Sequence, residues 1–256
     1  SEAAYNDAAW KKCVEVPLQG TINAEAGWGN TPGVGDYSAL HIKGQVGETV
    51  QQIKELRAVS VEEIRPGVYV YDMGQNMAGV PAIHLNEIAP GKKITLRFAE
   101  VKYPDLPAYQ PHTGMIMLEN IRAAMAQEIY IAKGGEEIIS PRFTYHGYRY
   151  VEITGIDQAL PLDAVKGLVV SSVHQLASRY ETSNPQVDKL WENITWSTYS
   201  NFISIPTDCP QRNERLGWSG DISVFSRTAT YLAPVPQFLR RHLMAMRDVQ
   251  RADGRF

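Results

Sequence analysis

At 256 residues the chain has room for one large domain or two ordinary ones. Its 44% apolar and 21% charged content is that of a folded protein, and a net charge of -3 gives no electrostatic ground for a nucleic acid or an anionic membrane as partner. No run approaches the ~18 consecutive apolar residues that a membrane span needs.

The start, Ser1-Glu2-Ala3-Ala4-Tyr5, lacks the basic and apolar regions of a signal peptide. Gly27 to Gly35 holds four glycines and a proline with no strand or helix period, and it reads as a loop. From there to about residue 175 short apolar runs alternate with turn residues. Strands are predicted at Val68–Tyr71, Val80–Leu85, Ile94–Ala99, Glu128–Ile131, Tyr148–Ile153 and Gly167–Val170, with turns at Pro90-Gly91 and Gly134-Gly135. Short strands without long helical patterns between them suggest an antiparallel β-sandwich.

Beyond residue 180 the period becomes helical. Ser183-Asn184-Pro185 offers a cap followed by proline at the first helical position, and Val187, Leu190, Trp191, Ile194 and Thr198 then share one face. A second helix is expected from about Asp221, capped by that carboxylate, to Leu232, with Val224, Phe225 and Leu232 inward. A third should run from Pro236 to Gln250 with Phe238, Leu239, Leu243, Met246 and Val249 inward. Helices of this length draw most of their stability from tertiary packing. Three amphipathic helices therefore imply either a seat on the sandwich or further helices, and the latter is the expectation here.

Between the first two helices lies Asp208-Cys209-Pro210-Gln211-Arg212-Asn213-Glu214-Arg215-Leu216-Gly217-Trp218-Ser219-Gly220-Asp221. A plain linker needs neither a tryptophan nor so many charges. A glycosidase uses such groups: an acid to protonate the departing oxygen, carboxylates to take sugar hydroxyls, and an aromatic face against the ring. The competing reading is a charged loop in which Arg212 and Arg215 pair with Asp208, Glu214 and Asp221.

That segment resembles the signature of the α-L-rhamnosidases of glycoside hydrolase family seventy-eight. Arg65–Asn76, Arg97–Val101 and Pro141–Glu152 are similar to successive stretches of that family's β-sandwich, and Gln250–Arg255 to a stretch early in its catalytic domain. The resemblance implies an inverting glycosidase that needs no cofactor. It implies residues 1–55 as the tail of an accessory β-domain with a linker, 56–174 as the β-sandwich and 175–256 as the first part of an (α/α)6 barrel of six helical hairpins. Carried over by position, Glu214 matches the general acid; Asp208, Arg212, Trp218 and Asp221 match substrate-binding positions. Asn213 stands where the motif usually has an acid. The family's general base lies on a later helix and matches nothing in these residues. The chain alone is therefore expected to be inactive, its partners being a rhamnosylated small molecule or polysaccharide and the remainder of the catalytic domain.

Other signals are weaker. His41, His84, His112, His146, His174 and His242 are scattered without metal-ligand spacing, and His146 reads as structural. Cys209 reads as packed rather than reactive. Arg240, Arg247 and Arg251 read as a solvated helix face, and Asn193-Ile194-Thr195 as a chance sequon. Two rival functions stand beside the rhamnosidase: a non-catalytic carbohydrate-binding β-sandwich, and a six-hairpin glycosidase with another sugar preference.

Overall fold

The structure is a computed structural model that describes residues 8–13, 19–22, 33–36 and 43–255. These residues fall into two compact units, Ser1–Gly44 and Gln45–Phe256. In the first, β1 (Gln19–Ile22) pairs antiparallel with β2 (Gly33–Asp36). The loop predicted over 27–35 is thus corrected at its end: Gly33, Val34 and Gly35 sit in a strand. Ladder bonds are made by backbone, so a glycine-rich stretch can pair without showing any side-chain period. Positions 27–32, and His41, lie outside the described residues.

The second unit is one curled antiparallel sheet followed by three helices. Its strands are β3 (Gln51–Arg57), β4 (Ser60–Arg65), β5 (Val68–Ile88), β6 (Lys93–Ala99), β7 (Gln127–Ile131), β8 (Gly135–Ile139), β9 (His146–Thr154) and β10 (Val165–Ser171). They run in the order β3-β10-β5-β9-β6-β7, with β4 and β8 also paired to β5. The two predicted strands Val68–Tyr71 and Val80–Leu85 are halves of this single β5. Its register shifts between Asp72 and Met77, where Gly74 takes φ +74° and the Asp72 carboxylate accepts the Gly74 N–H at 2.7 Å. The first half pairs with β4 and β9; past the shift the strand still pairs with β9 over Met77–Gly79 and then with β10 and β8, so the kinked strand serves four partners. Arg149 locks it from β9 with two 2.8 Å bonds to Asp72.

Alternation decides what faces inward. Along β6, Ile94, Leu96 and Phe98 are buried while Thr95 and Arg97 are only partly so. They meet Tyr71, Met77, Ile83, Leu85, Tyr148, Val151, Ile153 and Val165 in one core. Two polar groups are fixed in the sheet, the first on the face opposite this core and the second within it. Glu152, almost fully buried, is paired with Arg97 through contacts of 2.7 and 2.6 Å. The Tyr71 hydroxyl donates to the Leu160 carbonyl and accepts the Leu160 N–H, pinning segment 156–164 to β5.

The helices are α1 (Pro185–Asn201), α2 (Ser219–Leu232) and α3 (Pro236–Asp248). The Asn184 side chain caps α1 by accepting the Gln186 N–H at 3.0 Å. The second helix starts two residues before the predicted site. Trp218 occupies its cap position, and Asp221 lies in its first turn rather than capping it. The packing is also more lopsided than the periodicity suggests. Tyr199, Ile222, Ala229, Leu232, Val235 and Phe238 form a second core. Leu190, Val224, Leu243 and Val249, expected inward, are exposed, Val224 at 84%. Helix α1 rests on β5 and β10, where the Ser200 hydroxyl accepts the Ala78 N–H at 3.1 Å, so it has a seat on the sheet. With only three helices present, their other apolar faces meet no helical neighbour among the described residues. None of these helices is long and apolar enough to cross a membrane.

Burial holds the Tyr71 phenol up at about 12, against an ordinary value of 10. The folded chain thus keeps a proton that the unfolded chain sheds above pH 10, and stability falls as pH rises toward 12. Tyr71→Phe should lower stability at pH 7 by about 1–3 kcal/mol, because the Leu160 backbone loses its partner. It should also flatten the alkaline decline, as read from urea unfolding at pH 7, 10 and 11.5.

Candidate active site

The loop 208–218 joins α1 to α2 by way of a two-strand hairpin, β11 (Phe202–Ile203) with β12 (Ile205–Pro206). Thr207 ties the hairpin back to α1, its N–H donating to the Asn201 carbonyl at 2.7 Å. The loop is then closed at its neck by one residue. Asp208 donates its N–H to the Leu216 carbonyl at 3.1 Å, and its Oδ1 accepts the Leu216 N–H at 2.8 Å.

The floor of the loop is β9. A Cβ on Gly147 would lie 2.7 Å from both the Gln211 nitrogen and the Pro210 Cγ, so only glycine lets the loop come this close. Arg215, at φ +54°, lays its guanidinium over the Tyr145 ring, 4.1 Å from the centroid, and donates to the Tyr145 carbonyl at 3.0 Å. A bulky residue in the left-handed region persists only where its surroundings hold it there. Here they do.

This frame gathers four of the five sequence-predicted site residues by direct contact. The Glu214 Oε1 accepts the Trp218 Nε1–H at 3.0 Å. The Glu214 Oε2 lies 2.9 Å from Arg212 Nη2 and 2.7 Å from Arg122 Nη1, contacts of charge rather than well-aligned hydrogen bonds. The same Arg212 nitrogen is 3.3 Å from Asp208 Oδ2. Asp221 joins differently: it lines a pocket of about 180 Å³ with Asp208, Asn201, Thr207 and Phe225. Asp208 and Arg212 also border a cleft of about 440 Å³ lined as well by Asn76, Glu100 and Trp196. Asn213 is exposed. A larger cavity, about 510 Å³, lies on the sheet between His84 and Asp163 and contains none of these residues.

Burial alone would raise the Asp208 carboxyl, but hydrogen bonds from the Cys209 thiol, the Leu216 N–H and Arg212 outweigh it and hold the group below its ordinary value. Burial pushes the Cys209 thiol up. Cys209 is therefore the packed, protonated cysteine expected, and it is not disulfide-bonded. Asp208, Cys209 and Glu214 approach closely enough to bracket a cation. The guanidinium of Arg212 already sits between the two carboxylates, however, and the thiol is held away from the thiolate that a metal prefers. His146 is structural, stacked on Phe98 at 4.0 Å and bonded to Glu128 at 2.9 Å.

Arg122 was not foreseen. It follows a short 3-10 turn, Glu119–Ile121, in the sheet-bearing part of the chain, and Asn120-Ile121-Arg122-Ala123 carries no motif. Gly147 and Tyr145 stand out in sequence only as members of the Pro141–Glu152 stretch that resembles the family's β-sandwich. Their service to the loop depends on a tertiary contact about seventy residues away in sequence.

Two family descriptions match the chain in succession. Residues 62–171 match the bacterial alpha-L-rhamnosidase concanavalin-like domain, and residues 175–256 match the bacterial alpha-L-rhamnosidase 6 hairpin glycosidase domain. Among curated proteins, an alpha-L-rhamnosidase of Streptomyces avermitilis is 42% identical over 90% of this chain, and one of an Alteromonas species is 35% identical over 98%. The chain spans about a quarter of their length, 23% and 24% respectively. Among solved structures, the Streptomyces avermitilis alpha-L-rhamnosidase complexed with L-rhamnose superposes with a TM-score of 0.76 at 43% identity, over 83% of this chain and 20% of that one.

The contact at Gly147 generates a prediction that does not depend on ancestry. Gly147→Ala should push Pro210 and Gln211 off β9 and cost about 1–3 kcal/mol, an overpacking penalty. For a unit of this size that is a fall in Tm of about 2–4 °C per kcal/mol, measurable by calorimetry. An unchanged Tm would mean that the loop does not rest on the strand.

Proposed function

Since the chain belongs to the bacterial α-L-rhamnosidase family through both its sheet and its helices, we propose that the protein it forms part of hydrolyses terminal, non-reducing α-L-rhamnosides with inversion. The observation that carries this reading is the engagement of Glu214 on both oxygens, by Trp218 on one side and by Arg212 and Arg122 on the other, beside a pocket lined by Asp208 and Asp221.

Glu214 is the general acid. Its Oε2 lies between two guanidiniums, and we assign the proton to Oε1, beside the position at which that oxygen accepts the Trp218 N–H. That proton passes to the glycosidic oxygen as the bond to the anomeric carbon breaks. Water adds to the opposite face of the sugar and loses its own proton to a second carboxylate. Such a base stands ~6.5–9.5 Å from the acid in inverting enzymes. We assign it to the part of the six-hairpin domain that these residues do not include, and we assign no turnover to the 256 residues alone.

Asp208 and Asp221 take the sugar hydroxyls. The Asp208 carboxylate already takes the Leu216 N–H, Arg212 and the Cys209 thiol, yet its two oxygens offer about four acceptor positions, so capacity remains. Trp218, about half exposed at the cap position of α2, offers its ring to the apolar face of the pyranose. The curled sheet from about residue 56 acts as the β-sandwich against which the catalytic domain is built, and the three helices from about 175 open its (α/α)6 barrel. The unpartnered faces of Val224, Leu243 and Val249 support that architecture, because apolar helix surface gains stability only when it is covered.

Two measurements test this in a polypeptide that includes the whole six-hairpin domain. Glu214→Gln should lower kcat on an alkyl rhamnoside by about 10²–10⁴-fold, the range of general acid catalysis, and hurt an activated nitrophenyl rhamnoside far less. Equal loss on both would assign Glu214 another role. Asp208→Ala with Asp221→Ala should abolish rhamnose binding by calorimetry. Binding that survives both would favour a lectin-like sandwich, and turnover of other aryl glycosides in preference to rhamnosides would favour a different sugar.

A further inference from the structure

We infer that Arg122, supplied by the sheet-bearing part of the chain, is a positioning residue for Glu214 and holds the carboxylate that remains after the proton has left. The inference deepens the hydrolase reading and rests on it.

Charge makes the first part of the case. Asp208, Arg212 and Glu214 are linked through a single guanidinium nitrogen, so once Glu214 has given up its proton the trio has one negative charge in excess. Arg122 brings the balancing charge, 2.7 Å from Glu214 Oε2. Arg212 is divided between two carboxylates, its Asp208 contact being the longer at 3.3 Å. Arg122 forms an ion pair with Glu214 alone among the described residues.

Geometry makes the second. The neighbouring Ile121 is buried in the fold, and Arg122 itself sits at φ +57°, so the backbone from which it reaches is held rather than free. Its side chain is 55% exposed, whereas that of Glu214 is 18% exposed. The guanidinium therefore approaches the carboxylate from the solvent side and limits the directions in which Glu214 can turn. Trp218 restrains the other oxygen. With Arg122 removed, Oε2 keeps only the shared Arg212.

Chemistry makes the third. When the Glu214 proton moves to the leaving oxygen, the bond from that oxygen to the anomeric carbon breaks, water adds to the carbon, and the water's proton goes to the second carboxylate. Glu214 ends the step with a full negative charge. A guanidinium beside Oε2 interacts more strongly with that charge than with the neutral acid. Its contribution therefore grows along the reaction coordinate, the condition for acceleration rather than mere binding.

The test is steady-state hydrolysis by the polypeptide containing the whole six-hairpin domain, as wild type, Arg122→Met, Arg122→Lys, Glu214→Gln and the Arg122→Met/Glu214→Gln double variant. Arg122→Met should lower kcat on an alkyl rhamnoside about tenfold or more, with kcat on a nitrophenyl rhamnoside and both KM values within about twofold. Arg122→Lys should recover most of the loss. In the Glu214→Gln background Arg122→Met should cost nothing further, because its effect passes through the acid. The same fold-loss on both substrates, or an undiminished loss in the Glu214→Gln background, would overturn the inference. Arg122→Lys, a smaller perturbation that keeps the charge, carries the test should Arg122→Met fail to fold: a Lys variant as inactive as one lacking Glu214 on both substrates also counts against it. A Glu214→Gln variant that does not discriminate between leaving groups would instead remove the hydrolase reading beneath.

Discussion

Asp208 forms the neck of the loop and part of its contents at once. One oxygen takes the Leu216 N–H and closes the turn; the other meets Arg212, which in turn meets Glu214. Its own N–H completes a two-bond clasp with Leu216. The closure of the loop and the placing of Arg212 between two carboxylates therefore trace back to one carboxylate remaining ionised. Burial opposes that state and three donors restore it. Since the group lies below its ordinary value in the folded chain, its contribution is present at neutral pH and is lost as pH falls through that lowered value.

A clasp of this kind needs something rigid to rest on. The sheet provides it through β9, where Gly147 leaves a gap that Pro210 and Gln211 fill, while Tyr145 offers a ring and a carbonyl to Arg215. The same strand is locked to β5 by the Arg149–Asp72 pair, and β5 runs on beneath α1. Sheet and helices are thus not independent modules tied by a linker. The loop hangs from a helix on one side and lies on a strand on the other.

Much of this was legible in the sequence where the local pattern and the tertiary outcome agree. The Asn184-Pro185 cap, the alternation through Ile94 to Ala99 and the turn at Pro90-Gly91 are local statements, and each is met in the fold. Among the strands that the pattern does not show, β3, β4 and β8 are mostly exposed. Their glutamates, lysines and arginines hide the period that a half-buried strand shows. Two of the predicted strands merged into β5 because a kink at Gly74 looks in sequence like an interruption. Leu190, Val224, Leu243 and Val249 lie on apolar stripes that these residues leave uncovered, and periodicity cannot tell which neighbour covers a stripe. At the candidate site the dense motif announced Asp208, Arg212, Glu214, Trp218 and Asp221. Arg122 was invisible, because its partner lies on the far side of several strands in sequence and no local chemistry points to it.

The two cysteines sit in opposite surroundings. Cys13 is exposed in the first compact unit; Cys209 is buried in the loop with its thiol protonated. Alkylating reagents act on thiolates that solvent can reach. A maleimide dye should therefore attach to Cys13 and leave the 208–218 loop intact, giving these 256 residues a single-site label for fluorescence work without mutagenesis.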